Sequence, residues 1–88
     1  MDAEKVAKIL DAEKAFVIGN KISLFRIPPE LAEELGELIE IIAPNEKCAG
    51  YAVVNGESIV FKKAEEKIIA FVDNDKIIGS LRRLEENV

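Results

Sequence analysis

The side chains able to do chemistry are few. They are one thiol, Cys48 in "NEKCAG", three hydroxyls, Ser23, Ser58 and Ser80, and a run of carboxylates in "ELAEELGELIEII", Glu30 to Ile42. The chain has no histidine, so a serine or cysteine nucleophile would lack the base that most often takes up its proton. Lys47 stands directly before Cys48, and a cation beside a thiol favours the reactive thiolate. A thiol enzyme built on Cys48 is therefore one reading, and an inert, partly buried cysteine is the other. Paired carboxylates act as acid and base when an apolar setting separates their proton affinities, and a solvated helix face offers no such setting. Gly50, Gly56 and Gly79 are not spaced as a phosphate loop. Lys62, Lys63 and Lys67 are interrupted by Glu65 and Glu66 and read as an ordinary charged loop. A single cysteine excludes an internal disulfide and any cysteine-rich metal site. The expectation is no catalytic residue, no cofactor and no metal.

The 88 residues carry 17 acidic and 12 basic side chains, a net charge of −5. Glu30, Glu33, Glu34, Glu37 and Glu40 account for all five of the excess charges, so the acidity is local. An acidic chain with only three arginines is poorly suited to nucleic acid, where affinity comes from neutralising phosphates. The apolar runs are too short for a membrane span, and "MDAEKVAKIL" lacks the pattern of a signal peptide. A cytoplasmic location is the default expectation. The absence of histidine, threonine, glutamine and tryptophan beside abundant glutamate and lysine leans toward a thermophile.

The elements that would position these residues follow from periodicity. "DAEKVAKIL" places Val6, Ile9 and Leu10 on one face and reads as an amphipathic helix to about residue 12. "AFVI" and "KISLFRI" read as strands joined by a two-residue turn at Gly19-Asn20, with the positive φ of a tight hairpin. Pro28-Pro29 ends the second strand and opens a helix that runs to about Ala43. "GYAVV" and "ESIVFKK" flank Asn55-Gly56, the strongest short hairpin signal. "KIIAFV" is a further strand. Asp73, Asn74 and Asp75 offer capping oxygens to a last helix on which Ile77, Leu81, Leu84 and Val88 recur at helical spacing. The strands are nearly continuously apolar, which requires cover on both faces of the sheet. The expectation is one domain, residues 1–88, in the order αββαβββα. It would be a three-layer α+β sandwich, its five-stranded, mostly antiparallel sheet having the central helix on one face and the terminal helices on the other.

At about 100° per residue, Leu31, Leu35, Leu38 and Ile42 fall on one stripe of the central helix, the expected sheet contact. Ala32, Gly36, Ile39 and Ala43 form a shoulder beside it. A glycine inside a helix costs about 1 kcal/mol against alanine. Gly36 therefore admits either a close neighbour, as in a dimer, or a bulky side chain of the sheet. The glutamates lie opposite with Ile41 among them. Glu30/Glu34 and Glu33/Glu37 are like-charge pairs one turn apart, so the face is not optimised for helix stability. It is either a solvated face or a docking surface, carried by Glu33, Glu37, Glu40 and Ile41, for a basic partner.

The element order, and above all "GYAVVNGESIVFKKAEEKIIAFVDNDKIIGSLRRLEENV" from Gly50 to Val88, resembles the Roadblock family of dynein light chain-like proteins. There a hairpin, a strand ending near an acidic turn and a final amphipathic helix follow one another as "IIAFVDNDKIIGSLRRL" does here. "AFVIGNKISLFRI" departs from the pattern: it is tighter than the usual first hairpin and lacks its Asp-Gly turn. The resemblance implies a non-enzymatic homodimer that regulates or scaffolds a small Ras-like GTPase or similar protein partner, with no nucleic acid and no membrane insertion. Such dimers pair through an edge strand and the central helix. In this chain that points to Tyr51 and Val53 of the apolar strand "AGYAVVN", expected at a sheet edge, together with Ala32, Gly36, Ile39 and Ala43. The other reading is a small-molecule sensor of profilin-like architecture, with a pocket between sheet and helix.

Overall fold

The structure, a computed structural model, describes residues 1–87. Three helices and five strands follow one another as α1 (Ala3–Leu10), β1 (Lys14–Ile18), β2 (Ile22–Phe25), α2 (Pro29–Ile42), β3 (Cys48–Val54), β4 (Glu57–Lys63), β5 (Lys67–Val72) and α3 (Ile77–Asn87). A 3-10 turn, Asn74–Lys76, precedes α3. The order αββαβββα is the one the periodicity predicts. Val88, the last position of that spacing, lies outside the described residues.

Local chemistry accounts for most boundaries. Asp2 caps α1 by accepting from the Glu4 N–H at 2.8 Å, and the Ser23 hydroxyl of β2 accepts from the Ala3 N–H at 2.9 Å. Two otherwise orphaned helix donors are thus satisfied. α1 stops at Asp11, whose φ of 52° is left-handed. The β1–β2 turn differs from expectation. Ile18 pairs with Ile22, so the loop has three residues, Gly19 to Lys21, closed by Gly19 N–H to the Lys21 carbonyl at 3.1 Å. Neither Gly19 nor Asn20 has a positive φ. β2 is also shorter than "KISLFRI", because Arg26 turns left-handed with φ 58° and takes the chain out of the sheet. Asn55 (φ 52°) and Gly56 (φ 78°) form the expected tight turn between β3 and β4.

The strands lie in the order β2-β1-β5-β4-β3, and every pairing is antiparallel. Successive side chains point to opposite faces, so the apolar runs feed two cores. Ala15, Val17, Val60, Ile68, Ala70 and Val72 pack with Val6, Leu10 and Leu84 of the terminal helices. Phe16, Ile59, Phe61, Ile69 and Phe71 pack with Ala32, Leu35 and Ile39 of α2. The molecule is the expected three-layer α+β sandwich. α2 connects the two edge strands, β2 and β3, across one face.

Candidate protein interaction surface

β3 has a neighbour on one side only, as the sequence predicts for "AGYAVVN". Its other side presents unpaired backbone N–H and C=O groups, the template for adding a strand. No side chain from Cys48 to Val54 is charged. Gly50, Ala52 and Val54 lie on the α2 side, where the Phe61 ring sits 3.1 Å from where a Gly50 Cβ would be. Tyr51 and Val53 point to the opposite side, Tyr51 across from Val60, and are 59% and 61% exposed.

The helix half of the expected interface is corrected. Ala32, Gly36 and Ile39 are buried within the molecule against the sheet, and Ala43 is half-buried at the helix end. The physical reason is the fit to β1. The Ile18 Cδ1 atom lies 2.8 Å from where a Gly36 Cβ would stand, so the glycine admits a bulky sheet residue, the second of its two readings. α2 is rotated about its axis relative to expectation. Leu35 of the predicted stripe is buried, Leu31 and Leu38 are half-buried, and Ile42 is 48% exposed. Ile41 is 76% exposed, so α2 carries its own outward apolar residues beside its acids.

The acidic face is also redistributed. Glu33, Glu37 and Ile41 are exposed as expected. Glu40 is not a free docking group: its carboxylate accepts from Lys63 at 2.6 Å and from Lys67 at 2.7 Å. The hydrogen bond from Lys63, reinforced by the one from Lys67, holds the Glu40 pKa below the ordinary glutamate value. Lys63 also donates to the Ala43 carbonyl at 3.2 Å. α2 has no basic residue in its own last turn, so β4 supplies the cation that a helix C-terminus favours. The sequence reading missed these lysines. Their signal was the alternation Ile59, Phe61, Lys63, which puts Lys63 on the α2 side of β4.

Ser23 caps α1, and the Ser58 hydroxyl hydrogen-bonds to the Asn74 side chain. That bond uses one of the three expected capping groups, and Asp73 makes no side-chain cap. Cys48 is half-buried against the α2-side core. Arg26, Arg82 and Arg83 are exposed, Arg26 stacking over the Phe25 ring at 4.9 Å. The broad clefts are charged surface grooves. One of about 600 Å³ is lined by Asp11, Glu13, Arg26, Glu57, Asp73 and Lys76 among others. Among the described residues no cluster of three or more histidine, cysteine or carboxylate side chains is placed to hold a metal, and no helix is long and apolar enough to cross a membrane.

Fold and surface together define an antiparallel three-layer α+β domain with an open, uncharged sheet edge. The chain is 36% identical over 87 residues to an uncharacterized protein of Archaeoglobus fulgidus, covering 98% of this chain and 95% of that one, and belongs to the same family. No family model and no solved structure matches it.

Proposed function

We propose that the protein is a non-enzymatic, Roadblock-like homodimer that regulates or scaffolds a small Ras-like GTPase or similar protein partner. The observation that carries this reading is β3. It is an edge strand of seven residues without a charge, with Tyr51 and Val53 more than half exposed. Exposed apolar edges of this kind aggregate unless they are paired, and a second copy pairs them symmetrically. Two β3 strands side by side would make one continuous sheet and leave Glu33, Glu37 and Ile41 of both copies open to a partner with a basic face.

Light scattering at micromolar protein should give twice the chain mass of 9.7 kDa, and Val53→Lys, a charge on the edge, should reduce it to one chain. A wild-type protein of single-chain mass overturns the dimer. The partner is tested by mixing the purified dimer with small GTPases encoded in the same genome and following complex formation and nucleotide turnover. Glu33→Gln with Glu37→Gln should then slow association and flatten its salt dependence. An unaltered rate would leave those glutamates as a solvated face.

A further inference from the structure

β2, the opposite edge of the sheet, has a neighbour on one side only. On the α2 side of the sheet Ile22 and Leu24 stand next to Ile18 and Phe16, one strand further out, and are 65% and 37% exposed. Gly36 meets Ile18 at the margin of the buried stripe of α2. Glu33 and Glu37 lie past that margin, about 60° and 100° round the helix from Gly36. The same side carries Glu40, which Lys67 holds, and Lys67 pairs with Ile18. Glu33 and Glu37 therefore face the part of the sheet that ends in β2. Both are exposed, and among the described residues neither joins an ion pair. The two ends of β2 are also net acidic. At one, Asp2, Glu65 and Glu66 outnumber Lys21 and the N-terminal amine; at the other, Asp11, Glu13, Glu57 and Asp73 outnumber Arg26, Lys76 and Lys14, which pairs with Glu57.

We infer that β2 takes up an extended basic segment of another protein, with lysine or arginine at alternate positions, as a sixth strand of the sheet. Backbone hydrogen bonds to the open side of β2 would supply affinity. Alternate side chains of an added strand share one face of the sheet. On the α2 face their apolar stems would lie over Ile22 and Leu24, and their charged heads would reach Glu33 and Glu37. An acidic segment would meet an excess of carboxylates on all three sides. A second copy fits less well, because Ile22 to Phe25 carry no charge and would leave Glu33 and Glu37 unmatched. The inference rests on the reading of Glu33 and Glu37 as a docking face for a basic partner; it requires neither the dimer nor a GTPase.

The test uses fluorescence polarisation of the full chain with a labelled peptide, Ser-Lys-Val-Lys-Val-Lys-Ser capped at both ends. One control has glutamate at every lysine position; the other, Ser-Lys-Lys-Lys-Val-Val-Ser, keeps the composition and loses the alternation. The alternating basic peptide should bind, and the glutamate peptide should bind at least roughly fivefold more weakly, as two exposed charge pairs predict. The clustered peptide should also bind more weakly, because as a strand it cannot place all its lysines on one face. Glu33→Gln with Glu37→Gln should remove most of the preference for lysine over glutamate. Amide shifts in NMR spectra should concentrate on residues 22–25 and 33–37. The proposal is overturned if the alternating peptide does not bind or if either control binds as well. Shifts confined to α2 would overturn it and leave the acidic face as the docking surface, whereas a double variant that bound the peptide as wild type does would remove both. Loss of self-association in Ile22→Lys would assign this edge to a second copy instead, which also overturns it.

Discussion

Glu40 is the residue whose role changed most between sequence and structure. Read along the helix it is one of five equivalent acids; in space it ties the end of α2 to Lys63 and Lys67 at the β4–β5 turn. The partners are hidden from sequence because Lys63 is 23 residues away and becomes adjacent only when α2 lies over the sheet. The lowered Glu40 pKa gives the sign of a pH effect. A carboxylate that binds protons less tightly in the folded state contributes stability above its unfolded pKa, about 4.3, and loses that contribution as pH falls through the folded value. Wild type should therefore melt above Glu40→Gln at pH 7, and the gap should close as pH falls below the ordinary glutamate range. Thermal melts of both proteins across that range check it; a gap independent of pH would show that the carboxylate's charge is not what the lysines hold.

The helices and strands were legible because each had a period and most had a punctuated end. Asn55-Gly56, Pro28-Pro29 and the capping residue Asp2 all mark boundaries found in the structure. The rotation of α2 was not legible, and the reason is geometric. Its apolar arc includes both Leu31–Leu38 and Ala32–Ile39, wider than one contact needs, so period alone cannot choose which part meets the sheet. The choice is made by Ile18, whose Cδ1 lies 2.8 Å from where a Gly36 Cβ would stand. Gly36→Leu should thus destabilise the fold itself by about 1–3 kcal/mol through overpacking. In Gly36→Ala the gain of about 1 kcal/mol in helix propensity is set against the displacement of one flexible methyl, so it should fall near neutral. Urea denaturation of both variants distinguishes this from an interface role, in which Gly36→Leu would alter self-association and leave the stability of the single chain unchanged.

At the scale of the molecule, the sheet has two ends of opposite character. One is long, apolar and uncharged; the other is short and bracketed by Lys21 and Arg26. The sequence pointed to the apolar edge, since "AGYAVVN" is a flat run without a charge. It did not show the β2 edge, because the continuous run "AFVI" beside it suggested a hairpin buried on both faces.

The strand order also governs how the chain is made. β5, residues Lys67–Val72, follows the other four strands along the chain, yet it lies in the middle of the sheet and pairs with both β1 and β4. Until it arrives, the first hairpin and the β3–β4 hairpin have no strand between them, and isolated two-stranded hairpins are marginal in water. Closure of the sheet therefore waits until β5 has been made, and the uncharged β3 edge spends that interval beside an unfinished core, the condition in which exposed edges aggregate. A fragment ending at Lys63 should show no cooperative melting transition, and adding a peptide of residues 64–88 should restore one. A stable fold in the fragment alone would mean that the first four strands close without their central member.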